Sequence, residues 1–412
     1  MNLLSDQESE KQDSAQRRVE FKFPLLTLRT KIFSGVFDRI GSLRASRYIS
    51  WIALFLVPFV AAIGLYIIVT SLVALLSNPA VGEITRELGP GTILLLPGIN
   101  PILPIAYGWV AIVCAIAIHE GAHGIVARSA GFRVKSSGLL FFLFIPIGAF
   151  VDVDEEQIKK AKPRASLRVM AAGVGGNVAL AAICLIGVLV IVGSLTPIID
   201  GVYISDVTDG MPAKAAGLLP TDVLVSIDGL RVNSTKDLRD LLGNKTAGDI
   251  VAVTVARGDK WREQYPTFVN LTFSENRTVM GVIVGDLMTE NRLKNYQNLT
   301  FETIPMYLVP PTLASGLVPF SDSLTPFYTS YLGPQWQIFA NVLFWLWFVN
   351  INLAIFNALP IYPLDGGRIF NITLKGVLRQ RSSERTISLI TSAVTAVCVI
   401  IVALVAIVPF IM

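Results

Sequence analysis

The stretch Ile105–Arg128, IAYGWVAIVCAIAIHEGAHGIVAR, decides the reading of this chain. It is apolar over bilayer length, about 20 residues as a helix. Yet it carries both histidines of the 412-residue chain, His119 and His123, four apart with Glu120 between them. Ionisable groups inside an apolar helix are costly and mark function. On a helix, positions i and i+4 share a face, so both imidazoles can hold one Zn²⁺. Glu120, about 100° around the axis, can then reach a water on that ion. The competing reading is a pair of polar side chains that bond neighbouring helices.

A hydrolytic zinc site takes three protein ligands and keeps one position open, so a third ligand must come from elsewhere. No histidine remains, and Cys114, Cys184 and Cys398 sit singly in apolar runs, where they read as small core residues without a disulfide framework. The best candidate is Asp365 in Asn357–Arg368, NALPIYPLDGGR. Pro360 and Pro363 break the helix before it, and Gly366 and Gly367 after it are expected to allow a sharp turn. The alternative for Asp365 is a turn aspartate that faces the cytoplasm. Depth favours the pairing: His119 lies about 21 Å along its helix from Ile105, toward the end of the span where Asp365 also falls. A third constellation is Gly173, Gly175 and Gly176 beside Asn177 in AAGVGGNVALAA. It suits either close helix packing with an interhelical hydrogen bond or a catalytic amide, and the residues alone leave both open.

The rest of the chain fits a membrane setting. Of its residues 53% are hydrophobic and only 16% charged, which argues against a soluble enzyme. Apolar runs at about Tyr48–Leu76, Ile105–Arg128, Ala165–Gly193, Trp336–Leu359 and Thr386–Pro409 give an expected five spans. Lys and Arg cluster before the first, after the second (Arg128 to Arg168) and after the fourth (Arg368 to Arg385), whereas Ser77–Pro104 holds only Arg86. The N-terminus is therefore expected inside. A net charge of +4 with no basic stripe gives no reason to expect nucleic acid as a partner.

The expected organisation is a basic cytoplasmic tail (1–47), helices one to three with a re-entrant or strand-like segment at Leu139–Val153 (48–196), and a small polar domain (197–298). An interfacial proline-containing segment (299–335) and the last two helices (336–412) follow. The fold class is thus a polytopic α-helical membrane protein with an inserted α+β domain. Within that domain GVYISDV alternates as a strand, MPAKAAGL reads as a turn into a short helix, and DVLVSIDGLRV as two short strands. STKDLRDLL is a capped helix and DIVAVTVARG another strand. Five of six Asn-X-Ser/Thr sequons, at Asn233, Asn244, Asn270, Asn276 and Asn298, fall there, as expected of an extracytoplasmic domain.

Together HEGAHG, Gly173-x-x-x-Asn177 and NALPIYPLDGGR resemble the site-2 protease family of intramembrane zinc metalloproteases, over about Ile105–Arg379. The resemblance implies one zinc per chain on His119, His123 and Asp365, Glu120 as catalytic base, and Asn177 as a catalytic residue that holds substrate or the oxyanion. It also implies that the segment around Leu139–Val153 pairs with unwound substrate as a strand. The inserted domain is similar to PDZ domains of bacterial and archaeal proteases, which implies capture of an extended peptide at a sheet edge. Asp200, just before Gly201 at the expected mouth, disfavours a free carboxylate and makes size gating a competitor. The expected partners are then the lipid bilayer, single-span membrane protein substrates and a peptide or protein at the PDZ-like domain. The expected location is a prokaryotic plasma membrane. The competing function is a non-catalytic PDZ-bearing scaffold or chaperone with a structural metal; a transporter would need inverted repeats, and none is found.

Overall fold

The computed structural model describes residues 19–30, 33–143, 145–274, 277–300, 303–313, 316–378 and 382–411. Arg17, Arg18, Asn276, Arg379 and Arg381, which enter the charge and sequon patterns, lie outside the described residues. The helices that matter here are α1 (Ser34–Gly41), α2 (Arg44–Ser77), α3 (Ile105–Ser129), α4 (Pro163–Gly193), α5 (Trp336–Ala358), α6 (Asp365–Leu378) and α7 (Glu384–Ile411). Five of them, α2, α3, α4, α5 and α7, are long and apolar enough to cross a membrane. Their ends follow local chemistry. Gly131, at φ +86°, stops α3, Pro163 opens α4 at its first position, and α5 ends just before Pro360.

The chain divides into two compact units, Met1–Leu185 with Phe344–Met412, and Ile186–Leu343. In the first, Ala53, Val57 and Val60 of α2 pack on Ala171 and Val174 of α4 and on Ala354 and Ala358 of α5. Glycine makes the close approaches possible: a Cβ at Gly176 would lie 2.9 Å from that of Ala122 on α3, and one at Gly175 would run into Ala53.

The same unit contains an antiparallel sheet in the order β1 (Val19–Lys22), β2 (Leu25–Thr30), β3 (Val134–Phe142), β4 (Ile145–Val153). The segment around Leu139–Val153 is therefore a hairpin, and Pro146 is tolerated because β4 is an edge strand with an irregular register beside it. The N-terminal segment differs from the expected tail. Residues 19–30 add two strands to this sheet, and α1 lies along α3, with the Phe37 ring against Gly124 and an ion pair between Asp38 and Arg128. The cause is a period-two pattern, Val19, Phe21 and then Leu26, Leu28, that gives the segment a pairing face among its basic residues.

The second unit carries an antiparallel sheet with strands β5 (Val202–Val207), β6 (Val223–Ile227), β7 (Ile250–Arg257), β8 (Glu263–Asn270) and β9 (Val282–Asp286) in the order β8-β7-β6-β5-β9. Helix Thr235–Gly243 starts with the capping box of Ser234 and Asp237, and Leu238 packs with Ile204, Leu224, Val251 and Val253 in the core. The buried Asp222 carboxylate takes two hydrogen bonds from Arg257, from Nε at 2.6 Å and Nη2 at 2.5 Å, and this pairing pushes the guanidinium pKa up. GVYISDV forms β5, but β5 lies between β6 and β9. Asp200 therefore flanks an interior strand, not an open groove; the strands at the two ends of this order are β8 and β9.

The proline-containing stretch within 299–335 places part of its apolar side chains inside this unit and leaves others, among them Leu299, Leu317 and Leu332, exposed. Tyr307, Val318, Phe320, Leu324 and Phe327 are buried, with the Phe327 ring in tilted contact with Tyr203 (5.3 Å) and Trp261 (4.5 Å). Prolines prevent a long helix there.

Candidate metal centre

Helix α3 runs unbroken through HEGAHG, so the four-residue spacing places His119 and His123 one turn apart on one face. Helix α6 supplies the third group. The chain reverses over Leu359–Leu364, and Asp365 opens α6 as its first residue. Gly366 and Gly367 serve a different purpose from the expected turn. Both are helical and buried, and a Cβ on Gly366 would strike the carbonyl of Ala358, so their bareness lets the first turn of α6 press against the end of α5.

Three ligand atoms converge as a result. His119 Nε2 and His123 Nε2 are 3.3 Å apart, and Asp365 Oδ2 lies 3.2 Å from the first and 3.1 Å from the second. A tetrahedral zinc with bonds of about 2.0–2.1 Å separates neighbouring donors by about 3.3–3.4 Å, so the spacing fits that ion. The space fits as well. A Cβ added at Gly173 of α4 would lie 2.5 Å from both Nε2 atoms, so the absence of a side chain there keeps the cradle open. Among the described residues, His119, His123 and Asp365 form the one group of metal-ligating side chains close enough to share an ion.

The imidazoles are held from behind. His123 Nδ1 lies 2.7 Å from the Val169 carbonyl oxygen, which can only accept, so the proton is on Nδ1 and the lone pair of Nε2 faces the other ligands. Asn177, one turn after Gly173 on α4 and wholly buried, places its amide 3.2 Å from His119 Nδ1. Glu120 Oε2 accepts the backbone N–H of Val151 at 3.0 Å, which ties the carboxylate to β4.

The structure thus brings His119, His123, Asp365, Glu120 and Asn177 into one region of the first unit. What reading side chains missed acts mostly through backbone: the Val169 carbonyl, the Val151 amide and the missing Cβ of Gly173. Only Gly173 left a signal, its position one helical turn ahead of Asn177.

Relatives point the same way. An uncharacterized protein of Methanocaldococcus jannaschii is 24% identical over 87% of this chain and 79% of its own length. A candidate zinc metalloprotease of Clostridium perfringens is 25% identical over 70% of this chain and 92% of its own. A membrane-bound transcription factor site-2 protease homolog of Arabidopsis thaliana is 26% identical over 33% of this chain and 27% of its own. Among solved structures, the PDZ domain of an SdrC-like protein from Listeria monocytogenes is 23% identical, covers 24% of this chain and 96% of that domain, and superposes with a TM-score of 0.19. The model of peptidase family M50 matches residues 107–401, a range that holds every ligand described above and most of the chain. This chain belongs to peptidase family M50, the site-2 protease family.

Proposed function

We propose that this protein is a zinc-dependent endopeptidase that cleaves the transmembrane segments of single-span, membrane-tethered proteins within the bilayer. The observation that carries the proposal is the convergence of His119 Nε2, His123 Nε2 and Asp365 Oδ2 at 3.1–3.3 Å beside Glu120, on helices apolar enough to span. Zinc bound there would acidify a water toward a pKa of about 7 and polarise the scissile carbonyl. The residues of the chain do the rest. Glu120 takes a proton on its carboxylate as the carbonyl is attacked and returns it to the leaving amine nitrogen. Asp365 and the histidines orient the ion, and Val151 N–H holds the Glu120 carboxylate.

A helical substrate keeps its carbonyls occupied and must unwind before attack, so substrates carry helix-breaking residues near the cut. The second unit, read as an extracytoplasmic PDZ-like domain, meets the substrate's outer part. Its accessible edge for an added peptide is β9, tied to helix Thr235–Gly243 by Asp286, which accepts the Thr235 N–H at 2.6 Å. The positive-inside pattern and the exposure of Asn233, Asn244, Asn270 and Asn298 support that placement. The membrane is a prokaryotic plasma membrane.

The test is Glu120→Gln in purified protein reconstituted with a single-span substrate. Zinc content should stay at one per chain while cleavage falls by about 10²–10⁴-fold, the contribution of a general base. Undiminished turnover in that variant would refute the assignment.

A further inference from the structure

His119 raises a problem of proton placement that His123 does not. To offer a lone pair to a metal, its Nε2 must be unprotonated, and its Nδ1 then carries the hydrogen and needs an acceptor. The one side-chain group placed at Nδ1 is the Asn177 amide, and the atom recorded there is the nitrogen, Nδ2, at 3.2 Å. Two donors would face each other. Asn177 Oδ1, meanwhile, is buried without a hydrogen-bond partner. The two ends of an amide are assigned by the hydrogen bonds they make, and a half-turn about the last side-chain torsion exchanges them. That half-turn brings the unpartnered oxygen to Nδ1. What decides between the two is the need of His119 for an acceptor.

We infer that Asn177 is a positioning residue whose amide oxygen accepts the Nδ1–H of His119 and so presents Nε2 to the cradle. This rests on the zinc reading above. It departs from the expectation that Asn177 donates to the oxyanion. A donor to substrate must face the substrate, whereas Asn177 is wholly buried and its amide is engaged at the back of a ligand ring. The inference also explains the Gly-x-x-x-Asn spacing of α4. Positions 173 and 177 lie one turn apart on one helical face, where the glycine clears the front of the imidazoles and the asparagine braces His119 from behind.

The two roles separate under substitution. Asn177→Leu fills similar volume without an acceptor, whereas Asn177→Asp keeps an acceptor and loses the donor. The measurements are zinc affinity of the full-length protein by competition with a chromophoric chelator, the visible spectrum of the Co²⁺-substituted protein, and melting of the metal-free protein. The positioning role predicts that Asn177→Leu weakens zinc binding about 10–100-fold and perturbs the Co²⁺ bands, while Asn177→Asp binds zinc within a few-fold of the original. Melting of the metal-free variants reports whether each is folded, and Asn177→Asp serves as the folded comparison should the leucine variant misfold. Wild-type zinc affinity in Asn177→Leu, or equal losses in both variants, would overturn the inference and leave the protease reading standing. A wild-type protein that binds no zinc would overturn both.

Discussion

At the scale of single residues, the centre works through the atoms it omits as much as through those it supplies. Gly173 is the clearest case, because a Cβ there would lie 2.5 Å from the Nε2 atoms of both imidazoles and crowd the ligand atoms. Gly173→Ala should therefore cost more than a hundredfold in zinc affinity while leaving α4, a helix that alanine favours, intact. Equilibrium dialysis together with the helical circular dichroism signal checks this; zinc binding at the original strength would mean that the ion sits elsewhere. Glu120 is held by a backbone amide of β4, so its position depends on the hairpin staying in register.

At the scale of elements, the sheet of the first unit is a continuous construction from both sides of α2 in the sequence. Pairing runs from Leu25 opposite Phe142 to Thr30 opposite Ser137, and it covers the edge of β3 that would otherwise be open. Removal of residues 1–30 should uncover that edge. Hydrogen exchange at amides of Gly138–Phe142 that point toward β2 should then speed up by at least tenfold, with cleavage reduced because β4 loses support. Unchanged exchange in the truncated protein would mean that the β3–β4 hairpin stands alone. The N-terminal pattern was legible in principle, since Val19 and Phe21 alternate with charged residues, but a cluster of arginines around it outweighed four residues of alternation. Short strands are seldom readable in isolation, because their stability comes from the partner strand.

At the scale of the whole molecule, charge distribution makes a testable statement about sidedness. In a chain with Cys114, Cys184 and Cys398 replaced by alanine, a cysteine at Asn244 should react with a membrane-impermeant maleimide in intact cells. One at Arg44 should react only after lysis. Both positions are exposed at helix ends, so access to reagent is decided by the membrane alone. The reverse pattern would invert the proposed topology.

The sequence by itself determined the five apolar helices and the spacing of two histidines about one glutamate, and it named Asp365 as the best candidate for their partner. These follow from local rules: bilayer length, helical periodicity, and the scarcity of ligating side chains elsewhere. Tertiary structure alone decided which backbone groups brace the ligands, that Gly366 and Gly367 serve close packing instead of a turn, and which side chains of the proline-containing stretch after the small domain are buried. A carbonyl, an amide and a missing Cβ look the same at every position of a chain. Only the path that folds them against a particular side chain gives them a role.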